Sequence, residues 1–198
     1  MRKALFERDT KETKIKAEVN LDGTGQSEIE TPINFLNHML EAFSKHSLID
    51  LTIVAQGDME IDQHHTIEDL GIVLGKAIKK ALGDKRGINR AGFFIYPMDE
   101  SLATVAIDIG GRPYVQYSAE FTRRFCGDLD TDLIEHFFQS FSNAMGLNLV
   151  IKLEAGKNDH HKLEAIFKAL AKAMKMAVEI DPRQADSIPS TKGAIDEL

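Results

Sequence analysis

One short pattern occurs twice in the sequence: two adjacent histidines, with a glutamate four residues after the first of them. The first copy runs from His64 to Glu68 (HHTIE) and the second from His160 to Glu164 (HHKLE). Residues four apart share one face of a helix, so the first histidine and the glutamate of each copy can reach one point. The second histidine of each copy must then point elsewhere. Two copies of the pattern on equivalent elements indicate metal binding.

Two further histidines occupy matching positions in the two halves of the chain. His38 precedes the first copy by 26 positions, and His136 precedes the second by 24. Imidazole and carboxylate together suit Mn, Fe, Zn and similar divalent ions, and eight such donors divide into two sites of four. A single copy of the pattern would more often be a polar helix face.

Spacing and helix geometry predict how the eight donors divide. One predicted site contains His38, His64, Glu68 and His161, and the other contains His65, His136, His160 and Glu164. Four protein ligands leave an octahedral ion with two open positions, where a substrate can enter the coordination sphere. An enzyme is therefore favoured over a storage protein.

Composition and charge narrow the class of protein. The chain has 198 residues, 43% of them hydrophobic and 28% charged, which is typical of a globular protein with a buried core. Its net charge of -7 argues against a general nucleic-acid binder. The single Cys126 cannot form an internal disulfide, and no apolar run is long enough for a signal peptide or a membrane span. We expect a cytoplasmic protein that binds neither nucleic acid nor membrane.

The elements that must position these residues follow the same order in both halves. Strands are predicted at residues 4–8, 14–20, 27–30 and 49–55, and again at 93–96, 103–109, 114–121 and 147–153. Helical stripes are predicted from Phe35, from each histidine pair, and over residues 130–141. Both halves are thus β-β-β-α-β-α, a duplicated unit. We expect an α/β (α+β) fold in one compact domain, with repeats at residues 1–90 and 91–180 and a C-terminal loop or tail at 181–198.

Several charged or polar residues stand outside the histidine pattern. Arg90 and Arg112 could each present a guanidinium fork to a phosphate, and Lys168 lies one turn beyond Glu164 on the same helix face. A surface arginine more often has no such role. The segment 190–193 (STKG) could donate hydrogen bonds to an anion or belong to a frayed terminus.

Together, the motifs resemble those of the imidazoleglycerol-phosphate dehydratase family of histidine biosynthesis. The matching motifs are RDTKET at 8–13, FLNHML at 35–40, HHTIEDLG at 64–71, PMDE at 97–100, GRP at 111–113, HFF at 136–138, GKNDHHKLEAIFKA at 156–169 and STKG at 190–193. They cover nearly the whole chain. Some relatives carry a fused phosphatase domain for which this chain has no room, so the resemblance predicts the monofunctional form.

The resemblance implies a fold, cofactors and an assembly. It implies helices packed between two mostly antiparallel sheets, in a ribosomal S5 domain 2-like arrangement. It also implies two Mn(II) ions per active site, held by the eight histidine and glutamate donors. The family forms a homo-oligomer, a 24-mer, so some ligands of each site are expected to come from a neighbouring chain.

The resemblance also implies a reaction, the loss of water from D-erythro-imidazole glycerol phosphate to give imidazole acetol phosphate. The imidazole ring would bridge the two ions as an imidazolate and expel the hydroxyl through a diazafulvene-like intermediate. Glu12 matches the family glutamate that binds substrate and transfers the proton. The positions that would hold the substrate, chiefly its phosphate, are Arg90, Arg112, Lys168, Ser190 and Lys192. A two-metal hydrolase of a phosphorylated metabolite and a metal-storage protein are the alternatives.

Two residues depart from the usual family pattern. Asn37 stands where the family commonly has an aspartate, and Gln63 stands where it commonly has a second acidic residue before the histidines. Both adjoin predicted ligands. We therefore expect them to alter the contacts around the ligands and to leave the ligand set intact.

Overall fold

In a computed structural model that describes residues 1–195, each half of the chain forms a four-stranded sheet and two long helices. The first half contains β1 (Lys3–Asp9), β2 (Thr13–Asn20), β3 (Ser27–Glu30), α1 (Asn34–Ser47), β4 (Asp50–Gly57) and α2 (His64–Leu82). The second contains β5 (Ala91–Met98), β6 (Ser101–Asp108), β7 (Tyr114–Ser118), β8 (Phe125–Cys126), β9 (Leu129–Asp130), α3 (Ile134–Met145), β10 (Asn148–Ala155) and α4 (Asp159–Val178). Short 3-10 turns lie at Thr131–Leu133 and Pro182–Gln184.

The two sheets have equivalent topology. Their strand orders are β1-β2-β4-β3 and β5-β6-β10-β7. β3 pairs with β4, and β7 with β10, in parallel, and the other pairs in both sheets are antiparallel. In β2, alternate residues face the core, so that Ile15, Ala17 and Val19 are buried. The predicted repeat order and the mostly antiparallel sheets are confirmed.

The structure differs from the predicted elements in the middle of the second half. β7 ends at Ser118, and the hairpin of β8 and β9 was not predicted, because strands of two residues carry no periodic pattern. The helix predicted from residue 130 begins as a 3-10 turn, in which the Asp130 carboxylate accepts the N–H of Asp132. The boundaries of the repeats and the tail stay predictions, and residues 196–198 of that tail lie outside the described residues.

The four long helices lie between the two sheets and pair across the two halves. α2 packs on β1 and β2, α4 packs on β5 and β6, α1 contacts α4, and α2 contacts α3. Phe137 and Phe138 of α3 pack against Phe167 of α4 in the centre of the core, where all three are fully buried. Within residues 1–195, no helix combines the length and apolar character that a membrane crossing requires.

Two glycines let α3 approach α2 closely. A Cβ atom at Gly71 would lie 2.6 Å from the Phe137 carbonyl oxygen, and one at Gly75 would lie 2.7 Å from that of Phe141. Side chains at these positions would force the helices apart, because the interior between them is already filled. The close approach brings His136 of α3 to His64 of α2.

The C-terminal segment packs against the link between the two halves. The N–H of Asp181 donates to the Gly87 carbonyl, and the N–H of Gly87 donates to that of Ser187. The Arg86 guanidinium donates to the Asp186 carbonyl at 2.8 Å. These contacts favour an ordered loop over a frayed terminus for this part of the segment.

Candidate metal centre

Histidine and glutamate side chains from both halves form two clusters of three potential ligands. The α1–α4 cluster contains His38, His160 and Glu164. Nε2 of His160 lies 3.1 Å, and Nε2 of His38 lies 3.7 Å, from the same carboxylate oxygen of Glu164. One potential ligand atom from each residue lies within 4.8 Å of the other two. The donor types and the spacing fit three ligands of one divalent ion.

The α2–α3 cluster contains His64, Glu68 and His136 and is the pseudo-symmetric counterpart. Nε2 of His64 lies 3.7 Å from a Glu68 carboxylate oxygen, as the spacing of four residues on one helix predicts. The ring centroids of His64 and His136 lie 4.8 Å apart. The same kinds of side chain thus lie near one another a second time, on the facing pair of helices and in a more open arrangement than in the α1–α4 cluster.

Within one chain, the grouping expected from spacing is wrong for two histidines. His38 lies with Glu164 and not with Glu68, and His136 lies with His64 and not with His160. The reason is that α1 packs against α4 and α2 against α3. The spacing of residues within one half does not show which of its helices packs against which helix of the other half.

The second histidine of each pair faces a carboxylate outside these clusters. Nδ1 of His65 lies 3.0 and 3.1 Å from the two carboxylate oxygens of Asp58. Nδ1 of His161 lies 2.9 Å from a carboxylate oxygen of Glu100. These hydrogen bonds raise the pKa of both imidazole rings. The backbone N–H of Asn158, together with the ring of His161, lowers the pKa of Glu100 to about 2.

Sequence reasoning missed the contact roles of Asp58 and Glu100. Both residues lie where a strand ends or turns, and no periodicity of a helix or strand marks such positions. Glu100 does belong to the PMDE motif at residues 97–100, which is the one sequence signal that pointed to it.

Both histidine pairs are held by caps at the starts of their helices. The Asp62 carboxylate accepts the N–H of His64 at 2.7 Å, and the Asn158 side chain accepts that of His160 at 3.0 Å. Such caps satisfy N–H groups that have no partner within the helix. They also fix the backbone from which the histidine rings project.

The start of α4 is further tied to the chain before β8. The Asp159 carboxylate accepts the N–H groups of Thr122 and Arg123 and lies 2.9 Å from Nζ of Lys162. Burial alone would raise the pKa of Asp159, but the hydrogen bonds from Lys162 and Thr122 outweigh it, so that the pKa is lowered. Asp159 therefore stays ionised and holds the turn beside His160.

The two departures from the family pattern make defined contacts. The Asn37 amide oxygen accepts the N–H and the hydroxyl of Thr31, at 3.2 and 2.7 Å. Gln63 donates to the Asp128 carbonyl at 2.5 Å and accepts the N–H of Asp130 at 3.0 Å. Both side chains therefore hold segments next to the histidine-bearing helices.

Four of the predicted substrate-binding residues line one cavity. It has a volume of about 680 Å³, and Arg90, Arg112, Ser190 and Lys192 are among its lining residues. The carboxylate of Asp108 accepts two hydrogen bonds from the Arg90 guanidinium, at 2.6 and 2.9 Å. These hydrogen bonds raise the pKa of Arg90, so its charge is permanent. Converging cations and hydroxyl groups suit a phosphate.

Lys168 and Glu12 are placed away from that cavity's lining. Nζ of Lys168 lies 2.7 Å from a Glu164 carboxylate oxygen, so this residue adjoins the α1–α4 cluster. Glu12 lies in the turn between β1 and β2, where its carbonyl accepts the N–H of Asp58 at 3.0 Å. Within one chain, the predicted substrate-binding residues therefore lie in separate groups, four of them at the cavity and Lys168 and Glu12 elsewhere.

Comparisons with known proteins agree with one another. The model of the family described as imidazoleglycerol-phosphate dehydratase matches residues 31–174. Over 194 residues the chain is 54% identical to the imidazoleglycerol-phosphate dehydratase of Granulibacter bethesdensis, covering 98% of this chain and 99% of that one. It is 55% identical over 194 residues to the histidine biosynthesis bifunctional protein HisB of Spirosoma linguale, covering 98% of this chain but only 50% of that relative's length.

Two solved structures are similar along nearly their whole chains. The crystal structure of imidazoleglycerol-phosphate dehydratase from Staphylococcus aureus has a TM-score of 0.80 at 38% identity, covering 89% of this chain and 99% of that one. The crystal structure of IGPD from Pyrococcus furiosus has a TM-score of 0.81 at 32% identity, covering 95% of this chain and 99% of that one.

Proposed function

The chain belongs to the imidazoleglycerol-phosphate dehydratase family of hydro-lyases, and we propose that it dehydrates D-erythro-imidazole glycerol phosphate to imidazole acetol phosphate with two Mn(II) ions as cofactors. The observation that carries the metal dependence is the pair of equivalent clusters, each with two histidines and one glutamate. The cavity lined by Arg90 and Lys192 supports a phosphorylated substrate.

Each ion would be held by one cluster and by one further histidine. Adjacent histidine rings on a helix point apart. His65 therefore cannot bind the same ion as His64, and His161 cannot bind the same ion as His160. We propose that His65 of one subunit completes the α1–α4 cluster of another, and that His161 completes the α2–α3 cluster. Three imidazoles and one carboxylate then bind each ion and leave two positions of an octahedron for substrate.

The exposed surface supports assembly of several copies. Phe93, Ile95 and Tyr114 project from β5 and β7 with 65%, 56% and 62% of their surface exposed. β5 and β7 are the two edge strands of one sheet, so these exposed apolar side chains lie at both of its edges, where they favour contact with another protein surface. We propose a homo-oligomer, a 24-mer as in the family, in which neighbouring subunits share sites.

The protein's own residues would bind and orient the substrate and move its proton. When bound, the ions would supply positive charge that stabilises a deprotonated imidazole ring. Arg90, Arg112, Ser190 and Lys192 would donate hydrogen bonds to the phosphate and so fix one end of the molecule. The Glu12 carboxylate would accept the proton lost from carbon and return it to the departing hydroxyl, which leaves as water. Lys168, whose ammonium group lies beside Glu164, would also bind the substrate.

The test is to strip the protein of metal with a chelator and to follow product formation as Mn(II) is added. We expect imidazole acetol phosphate to appear only with Mn(II). Glu12→Gln should keep its metal and lose most of the rate, which the storage alternative does not predict. No product at any metal level would contradict the proposal, and phosphate release without dehydration would favour the hydrolase.

A further inference from the structure

Asp58 and Glu100 occupy equivalent places beside the second histidine of each pair. In both halves a carboxylate from the turn region near the helix start contacts Nδ1 of that histidine, at 2.9 to 3.1 Å. The carboxylates come from different elements, the end of β4 in one half and the turn between β5 and β6 in the other. The same contact is therefore made twice with different local structure.

A carboxylate selects one tautomer of the imidazole ring. An ionised carboxylate can only accept a hydrogen bond, so Nδ1 of His65 and of His161 must carry the hydrogen. In the neutral ring, Nε2 then has the free lone pair that a metal requires. Asp99 lies 3.6 Å from Nε2 of His161, which is too long for a hydrogen bond.

Three of the four histidines in the two clusters direct the same nitrogen toward a glutamate. His38, His64 and His160 each direct Nε2 toward the glutamate of their cluster, at 3.7, 3.7 and 3.1 Å. With Nδ1 held by Asp58 or Glu100, His65 and His161 would present the same atom. Nε2 donors at five of the six histidines fit a pair of centres built by duplication.

Both residues are themselves anchored, Glu100 through its carboxylate and Asp58 through its backbone. One oxygen of Glu100 accepts the N–H groups of Lys157 and Asn158, at 3.2 and 2.8 Å, while the other faces His161. The backbone N–H of Asp58 donates to the Glu12 carbonyl at 3.0 Å. Asp58 thus links His65 to the turn that carries the proposed proton-transfer residue.

We propose that Asp58 and Glu100 are positioning residues that hold His65 and His161 in the Nδ1–H tautomer, so that each presents Nε2 to a metal ion. The proposal rests on the proposed function, because it requires metal at these histidines. Hydrogen-bond partners of metal-bound histidines commonly alter metal affinity by roughly 10- to 100-fold. Because His65 and His161 serve different ions, Asp58 should affect one ion and Glu100 the other.

The experiment titrates Mn(II) alone into metal-stripped full-length protein and measures free Mn(II) by electron paramagnetic resonance. Asp58→Ala and Glu100→Ala should each leave one ion at wild-type affinity and weaken the other by roughly 10- to 100-fold. The double variant should weaken both. Glu7→Ala, which removes a carboxylate paired with Lys16 at 3.0 Å, is the matched control and should bind both ions normally.

Thermal unfolding of the metal-free proteins separates positioning from a structural role. We expect the metal-free variants to unfold close to the wild type, because both histidines stay partly exposed. If an alanine variant does not fold, Asp58→Asn and Glu100→Gln test the same point with little change of shape and should also bind one ion more weakly.

Unchanged affinity for both ions in folded variants would overturn the proposal, as would weakening of both ions by one single variant. A wild-type protein that binds no Mn(II) would contradict the proposed function instead, so the two failures are distinct.

Discussion

Nε2 of His38 lies 3.7 Å from a carboxylate oxygen of Glu164, although the two residues belong to different halves of the chain. The contact exists because α1 of the first half packs against α4 of the second. His136 and His64 show the reverse relationship through α3 and α2. Neither half alone can therefore assemble either cluster. A single copy of the histidine pattern would not form such a site.

Removing one histidine from either cluster should remove one ion from each chain. We expect His38→Ala to lower the Mn(II) content from about two ions per chain to about one, since a centre of four donors would keep only three. His136→Ala should have the same effect at the other centre, and the double variant should bind neither ion. Elemental analysis after desalting measures the content.

His46→Ala is the control for these variants. His46 also lies on α1, but its ring packs against Tyr96, with centroids 5.7 Å apart, and it belongs to neither cluster. The His46→Ala variant should retain both ions. Loss of both ions from His38→Ala, or of none, would contradict the cross-half grouping.

Gly71→Ala should destabilise the protein by forcing α2 away from α3. The added Cβ would lie 2.6 Å from the Phe137 carbonyl oxygen, and overpacking of this kind costs about 1–3 kcal/mol. Urea unfolding of the metal-free protein measures the loss. Lys76→Ala, at an exposed position of the same helix, should be nearly neutral. Equal stability of Gly71→Ala and the wild type would show that the helices can separate without cost.

Asp108→Ala should weaken substrate binding through Arg90. Without the two hydrogen bonds at 2.6 and 2.9 Å, the guanidinium is held at the cavity wall only by its hydrogen bond to the Pro189 carbonyl at 3.1 Å. We expect Arg90→Ala to raise KM by roughly 10- to 100-fold, as for a lost hydrogen bond to a charged group, and Asp108→Ala to raise it less. Steady-state kinetics measures both.

Arg183→Ala is the control for the cavity variants. Arg183 is an arginine of the same C-terminal segment, paired with Asp181 at 2.6 Å, and it does not line the cavity. Its KM should match the wild type. An unchanged KM in Arg90→Ala would remove this cavity as the phosphate site.

Asp50 should make stability depend on pH on the acid side. Burial alone would raise the pKa of Asp50, but hydrogen bonds from the N–H groups of Gln26 and Thr24 outweigh it, so that the pKa is lowered. Its stabilisation is therefore complete above the unfolded-state pKa of about 4 and is lost as the pH falls through the lower native pKa.

Urea unfolding of metal-free protein at pH values from about 6 to 3 tests this linkage. The free energy of unfolding should fall more steeply with acid in the wild type than in Asp50→Asn, which has no carboxyl group to protonate at that position. The same decrease in the free energy of unfolding with falling pH in both proteins would contradict this linkage.

The local part of the site could be predicted from the sequence, and the long-range part could not. The contacts of His64 with Glu68 and of His160 with Glu164 follow from the helical period. The contact of His38 with Glu164 depends on which helices face each other between the sheets. Asp58 and Glu100 contact histidines from turn regions, where no period exists to place a side chain.

The departures at Asn37 and Gln63 show the same limit. Gln63 has its partners on the β8–β9 hairpin, and two strands of two residues leave no sequence pattern from which the hairpin could be predicted. Asn37 bonds Thr31, which lies only six residues away, but amide and hydroxyl partners obey no spacing rule comparable to that of a helix face. Asn37 and Gln63 could be identified from the sequence alone, whereas their hydrogen-bond partners could be identified only from the folded structure.

The most direct test of the two-ion account is to measure the dehydration rate while Mn(II) is added stepwise to metal-stripped protein of known concentration. We predict a rate that rises from the background level and reaches its plateau at about two ions per chain, with the same number found by elemental analysis of the plateau sample. Full activity in the metal-free protein, or a plateau at one ion per chain, would contradict the account.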